Sequence, residues 1–571
     1  MAANVTYFRH MNPISLAAVL VCIATLAATA APRFTQSAKS VDRFDFVEVT
    51  LTLDEPAKGN PFVDAALEGQ LTPARGSGER VDGFCDSVDG RVFRIRFLPL
   101  VAGRHVYALA FRSGDTELKY TGEFNVRAGK RRGLAVRDRE HPNHFVWSGS
   151  GDHFFYNSTT AYWLLGFRDD GVIRQSLDRL DRLGVNRIRV ALSGRTASGL
   201  RWKEPMIVSN DDFQYRLEPW PAARPLDIEN PGYDVTRFNL EHFRKAERML
   251  AHALGRDLQV SLIFALDVAD KGVDPFGKAN MGNADEQRYY RYCVARFGAF
   301  ANVWWDLINE WHLCRDEAWV NKMGALVREW DPYDHTTSVH GTGKFPFGLS
   351  PWVDYVMFQS WDEHGAYDFM LKARRDQAAA GRPLPIINEE YGYEDHYPYP
   401  WGGKRVWPAR IGEDRVRLAW EMAMAGGYQT TGERANIAGM GGWITGRGND
   451  EMTMLPGYAR MRRFFEAMPW WKLEPHPELV TGESKALPVP ENTKPLAPAL
   501  CLAQPGERYV VYLRQGGTAT VQLATGSYAV TRFNPRTGQS AKLGNASGGA
   551  AWTTPAVTDT ENWLFTLEAQ R

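Results

Sequence analysis

The chain has 571 residues, too many for one ordinary domain, and its 67 Lys plus Arg balance 67 Asp plus Glu. Zero net charge without a basic stripe argues against a nucleic-acid partner, whose phosphates need neutralising. Nineteen Trp and 12% aromatic residues suit either large cores or platforms for flat ligand faces such as sugar rings, and composition alone does not choose.

At the N-terminus, Arg9 and His10 precede the apolar run "ISLAAVLVCIATLAATAA", and Ala28-Thr29-Ala30 offers an A-x-A cleavage site. Residues 1–31 therefore read as a secretory signal peptide, with translation starting at Met1 or Met11. The run is marginal for a membrane span. Cys22 hints at a lipoprotein, but Val21 stands where a small residue is wanted. No later stretch is apolar enough to cross a bilayer, so the expectation is a secreted or periplasmic protein. Its oligomeric state is not legible.

Over residues 32–130 short alternating segments such as "FDFVEVTLTL", "RVFRIRFLPL" and "HVYALAFR" are separated by Gly, Pro and Asp. This spacing predicts a β-sandwich. The basic "RAGKRRG" that closes it reads as a solvated linker.

The pattern changes over residues 140–472 to apolar strand, polar loop, amphipathic helix, repeated. The strands are "HFFYNS", "NRIRVAL", "QVSLIFAL", "VWWDLIN", "TTSVHG", "YVMFQSW", "PIINEEY" and, as the eighth, "GGWIT". Helical segments such as "IRQSLDRLDRLG" and "RVRLAWEMAMAGG" intervene. The fold class is thus α/β, a (β/α)8 TIM barrel, with a second β-sandwich expected at 476–571 behind the Pro-rich connector "ALPVPENTKPLAPA".

In such a barrel the active site lies at the C-terminal ends of the strands. Glu310 ends the fourth strand and an acid of "INEEY" ends the seventh, across the barrel mouth. Two carboxylates facing one cavity perform acid/base and nucleophilic work on glycosidic bonds. Because successive side chains alternate between faces, Glu389 and Glu390 are not both expected in the cavity, and periodicity alone does not choose between them. Of the four cysteines beyond the signal, Cys85, Cys293, Cys314 and Cys501, none shows C-x-x-C spacing. Separate buried thiols are favoured over a Cys293–Cys314 bridge. Histidines do not cluster with acids at ligand spacing, so neither a catalytic metal nor a cofactor is expected.

"WDLINEW" followed by the strand end "INEEYGYE" resembles the clan-A retaining glycoside hydrolases. Together with "REWDPYDHTTSVHG", "AWEMAMAGGYQTTGE" and "FFEAMPWWKLEPHPELV", it is similar to the apiosidase-like branch of glycosidases. That branch combines an N-terminal immunoglobulin-like domain, a barrel and a C-terminal collagen-binding-like β-domain. The resemblance implies a carbohydrate substrate, Glu310 as acid/base and Glu390 as nucleophile, with carboxyl groups about 5 to 5.5 Å apart as in retaining enzymes. It implies that Asn309 binds the sugar hydroxyl beside the anomeric carbon. Arg189 matches a strand-two Arg lying beneath the nucleophile, where it would hold that acid ionised. His340, Gln359, Trp361 and Trp443 fall at other strand ends and are candidates to line the sugar site. Related sequences read G-D-T-A-W on strand one, whereas this chain has Ser158-Thr159-Thr160-Ala161-Tyr162. The missing acid puts apiosidase specificity in doubt, and Glu433 is a candidate replacement. The rival readings are a non-catalytic carbohydrate-binding or matrix protein, and a polysaccharide lyase or transglycosylase on the same barrel.

Overall fold

The structure is a computed structural model that describes residues 31–195, 212–227, 230–266, 274–362, 364–394, 411–434, 442–448, 450–483 and 496–570. All of the expected signal peptide except Ala31 lies outside these residues.

Eight short strands form the central barrel: β1 (Ser158–Thr160), β2 (Arg187–Ala191), β3 (Gln259–Ile263), β4 (Val303–Asp306), β5 (Thr337–Ser338), β6 (Val356–Gln359), β7 (Ile386–Glu390) and β8 (Tyr428–Thr431). Each pairs in parallel with its neighbour in the order β5-β4-β3-β2-β1-β8-β7-β6. A parallel bridge between Gly341 and Phe358 closes the ring. Outside it run α1 (Asp170–Arg182), α2 (Leu240–Leu254), α3 (Ala284–Phe297), α4 (Glu317–Trp330), α5 (Ala366–Ala379), α6 (Gly412–Met424) and α7 (Met454–Glu466). Asp169, Asn283 and Asp316 cap α1, α3 and α4 by accepting first-turn backbone N–H groups.

Two strand assignments differ from the sequence expectation. "HFFYNS" divides. His153–Phe154 joins a three-stranded antiparallel sheet with Ala135–Arg137 and Phe145–Trp147, and β1 begins only at Ser158. That sheet plugs the lower end of the barrel, where Phe145 packs on Tyr156, Trp304, Tyr355 and Tyr428. The eighth strand is Tyr428–Thr431, whereas "GGWIT" contributes a single helical turn, Gly442–Thr445. Gly426, at φ 73°, ends α6 and allows the turn into β8. The Gly442–Thr445 turn is fastened over the first unit instead, because the carbonyls of Trp443 and Ile444 accept from the N–H groups of Tyr162 and Trp163.

The barrel is flanked by β-rich regions on both sides. The N-terminal region packs a four-stranded against a five-stranded sheet around Val47, Leu51, Phe93, Phe111 and Phe124. The C-terminal region pairs a six-stranded with a three-stranded sheet around Cys501, Tyr509, Val521 and Phe565. Cys85, Cys293, Cys314 and Cys501 are separate buried thiols. Among the described residues no helix is long and apolar enough to cross a membrane.

The N-terminal sheets meet the barrel through buried charge. Arg296 of α3 is fully buried and pairs with Asp86 at 2.9 Å and with Glu247 of α2 at 2.7 Å, while Arg96 reaches Glu247 at 2.6 Å and Glu48 at 2.9 Å. Arg296→Ala takes one of several cations from Asp86 and Glu247, which keep Arg94 and Arg96. It should lower the stability of barrel and N-terminal region together by about 1.5–3 kcal/mol in denaturant unfolding, the worth of hydrogen bonds to charged groups.

Candidate active site

The barrel interior is polar where most such barrels carry branched aliphatic layers. Arg187 and Arg189, two apart on β2, both point inward. In the lower layer Arg187 pairs with Glu389 at 2.9 Å, donates to Tyr355 Oη at 3.1 Å and lies over the rings of Tyr156 and Trp304. Tyr156 donates to Glu389 at 2.8 Å. In the upper layer Arg189 holds Oδ2 of Asp306 through Nη2 at 2.7 Å and Nε at 3.2 Å. Its remaining bonds go to Tyr162 Oη at 3.0 Å and Asn309 Oδ1 at 3.3 Å. Arg187, Arg189, Asp306 and Glu389 have no solvent exposure.

Strict alternation fails at β7. Phe358 of β6 faces Asn388, yet the next residue, Gln359, faces Glu390, so β7 carries one extra residue at Glu389. This bulge puts both adjacent acids inside the barrel, Glu389 below against Arg187 and Glu390 above at the mouth. The expectation that only one of them faces inward is thereby corrected. Asn388 secures the bulge by accepting from Ser360 N at 3.1 Å and donating to Ser360 O at 2.9 Å.

Glu390 sits in a ring of donors. Gln359 Nε2 donates to Oε1 at 3.1 Å, Tyr162 Oη donates to Oε2 at 3.1 Å, and Tyr393 adds a third bond. Gly392, at φ 75°, makes the left-handed turn that returns Tyr393 over the acid. His340 Nε2 faces Oε2 at 3.9 Å. Burial, Arg189 and His312 push the His340 imidazole well below its usual range. The ring is neutral, and its Nδ1 accepts from Glu310 N at 3.3 Å.

Burial pushes the Glu390 carboxyl up to about 7 and the charge of Glu310 adds to that rise, while Tyr393, Arg189 and Tyr162 oppose it. The expected role of Arg189 is corrected accordingly: its ion pair is with Asp306, and desolvation outweighs its pull on Glu390. Asp306 is itself raised to about 6 by burial, against the opposing Arg189.

Glu310 ends the β4 segment in the left-handed region, at φ 48° and ψ 50°. Such a backbone costs a non-glycine residue of order 1 kcal/mol and clusters at functional sites. Asn309 Nδ2 lies 3.4 Å from Glu310 Oε2. Trp443 stacks on Tyr393 at 4.5 Å, Trp361 meets the same ring edge-on at 5.9 Å, and Tyr162 meets Trp443 edge-on. Gly432 permits this wall, since a Cβ there would lie 2.2 Å from Trp443 Cβ.

The strand ends therefore bring together Glu310, Glu390, Asn309, Arg189, His340, Gln359 and Trp361, and the Gly442–Thr445 turn adds Trp443. Glu433 is not among them. Its carboxylate is buried and bound by Arg179 of α1 through two 2.8 Å bonds. Tyr162, Tyr393 and Asp306 escaped the sequence reading, although Tyr162 stood in plain view as the strand-one departure and Asp306 belongs to "WWD". Among the described residues no group of three or more His, Cys, Asp or Glu is arranged to hold a metal.

Residues 141–432 match the family described as apiosidase-like, catalytic domain, and the chain belongs to that family. Residues 40–112 match a domain of unknown function (DUF5060). Among solved structures, a Bacteroides vulgatus protein provisionally named a glycoside hydrolase is similar at 20% identity and TM-score 0.73, over 93% of this chain and 100% of that one. A glycoside hydrolase family 5 protein from the same organism is similar at 14% identity and TM-score 0.58, over 77% and 94%. At these identities the likeness is one of fold. No curated protein matches.

Two stability measurements test this geometry. Glu390 folds with its carboxyl raised from 4.5 to about 7. The folded state therefore binds the proton more tightly, and the associated stability is present below pH 4.5 and lost as pH rises to 7. Glu390→Gln removes that loss. Its advantage over wild type should be near zero at acid pH and grow to at most about 3 kcal/mol above pH 7 in denaturant titrations. At Glu310, glycine and alanine both delete the carboxylate but only alanine keeps the left-handed strain. Glu310→Gly should be more stable than Glu310→Ala by about 1 kcal/mol.

Proposed function

We infer that the protein is a retaining glycoside hydrolase that acts on oligosaccharide or polysaccharide bonds. The observation that carries this reading is the convergence of Glu310 and Glu390 at one end of the barrel, close enough for the charge of one to raise the other. The family match and the similar barrels of glycoside hydrolases support it.

In the proposed reaction an Oε atom of ionised Glu390 attacks the anomeric carbon. The bond to the leaving oxygen breaks with its electron pair, and that oxygen takes the proton of Glu310. Having given up its proton, Glu310 serves as base once Glu390 is an ester. It takes a proton from water, whose oxygen attacks the anomeric carbon and expels Glu390 as carboxylate. Asn309 beside Glu310 is placed to bind the neighbouring hydroxyl, and the wall of Trp443, Tyr393 and Trp361 is placed against the apolar face of a sugar ring. The apolar N-terminal segment, with its A-x-A site, supports export to the periplasm or medium.

Glu310→Ala should keep its first step on aryl glycosides with acidic leaving groups, and azide should restore turnover by replacing the water that lacks its base. Glu390→Ala should be inactive on every substrate. Proton NMR should show the first product with retained anomeric configuration. An inverted product, an unsaturated sugar absorbing in the ultraviolet, or full function of both variants as a pure binder would overturn the reading.

A further inference from the structure

Arg189 stands between two acids and bonds to only one. Three of its four hydrogen bonds go to Asp306 Oδ2 and Asn309 Oδ1, and none reaches Glu390. Its fourth ends on Tyr162 Oη, and that hydroxyl spends its own proton on Glu390 Oε2. Asp306 Oδ1 is buried without a hydrogen bond, so the hydrogen bonds that hold this carboxylate come from Arg189. The four groups form one chain, Asp306–Arg189–Tyr162–Glu390, anchored on β4, β2, the segment after β1, and β7. Every member is nine-tenths buried or more.

Resting on the glycosidase reading, we propose that Asp306 and Tyr162 are opposing positioning residues for Glu390. Asp306 draws the guanidinium charge away from Glu390, and Tyr162 delivers what remains through its hydroxyl. Neither touches the reacting bond. The other groups that face Glu390 do not supply a cation in their place. Glu310 from the end of β4 is an acid, His340 from the end of β5 is neutral, and Gln359 from β6 and Tyr393 after β7 are uncharged donors. Arg187, two residues before Arg189 on β2, is occupied by Glu389. The net effect is a carboxylate that is more basic and more nucleophilic than one paired directly with an arginine. Burial of Glu390 agrees with this arrangement, since its proton is held to about pH 7.

Two substitutions move the chain in opposite directions. Tyr162→Phe cuts the link and removes a bond to the ionised carboxylate, so Glu390 should titrate about one pH unit higher. Asp306→Asn frees Arg189 and deletes a neighbouring negative charge, so Glu390 should titrate about one unit lower. The titration is read by 13C NMR on the full-length protein labelled at glutamate carboxyls, with the Glu390 signal identified by its loss in Glu390→Gln. The acid limb of kcat/KM on a panel of 4-nitrophenyl glycosides should follow the same two shifts. Merely structural roles would lower kcat and leave both the limb and the resonance in place, which overturns the proposal, as does a shift of both variants in one direction. If Asp306→Asn does not fold, Tyr162→Phe decides alone, and an unmoved Glu390 titration overturns it. The NMR reading needs no turnover. Absence of glycosidase activity would therefore sink the functional reading while the titration still judged the chain of bonds.

Discussion

The constraint on which the site depends is the pair of arginines inside the barrel. Four full charges with no solvent exposure, Arg187, Arg189, Asp306 and Glu389, occupy a space that aliphatic side chains fill in most barrels of this class. Each charge is tolerable only while its partner holds its place, because an unpaired one bears a desolvation penalty of several kcal/mol. The two pairs therefore lock β2 to β7 in the lower layer and β2 to β4 in the upper. With the heights of these three strands fixed, their ends, which carry Glu310 and Glu390, are fixed as well. Phe145 and the small sheet beneath seal the lower layer from water, and that keeps the ion pairs strong.

Both candidate catalytic acids are then aimed by departures from regular backbone. The extra residue in β7 lets neighbouring glutamates serve different layers, and without it one of them would point toward the surrounding helices. Glu310 adopts a left-handed conformation that lies outside the ordinary strand region. Neither departure is cheap. Each is held by specific bonds, the bulge by Asn388 on Ser360 and the Glu310 turn by its N–H on His340. A barrel strand run out regularly would not deliver these two carboxylates to one cavity.

This explains what the sequence disclosed and what it did not. The eight-unit count and the acids that end strands four and seven were legible, because an apolar run stopped by Asn-Glu is a pattern in residue types. The eighth strand was misplaced for the same reason: "GGWIT" is apolar and β-branched, whereas the true strand, Tyr428–Thr431, faces a polar interior with Gln429 and Thr430 and so lacks the hydrophobic signature. The bulge was invisible because alternation presumes a regular ladder. The resemblance set Arg189 beneath the nucleophile, whereas the fold pairs it with Asp306, a residue the sequence reading had not singled out. Glu433 was a candidate replacement for the missing strand-one acid, and residue type could not show that Arg179 of α1 holds its carboxylate.

Charge counting over the proposed reaction ties stability to chemistry. Arg187 and Arg189 balance Glu389 and Asp306, so ionised Glu390 leaves the interior with one negative charge that has no cation of its own. Tyr162, Tyr393 and Gln359 soften that charge without cancelling it. Attack on an anomeric carbon turns Glu390 into a neutral ester and removes the imbalance, and expulsion of the sugar restores it. The folded protein is thus least stable in the ionisation state that reacts, and the strain is relieved along the reaction rather than at rest. Interactions that improve toward the transition state accelerate a reaction, whereas those made equally in the ground state do not. An arginine bonded directly to Glu390 would calm the resting enzyme and forfeit that gain, which gives a physical reason for Arg189 to be held by Asp306 instead.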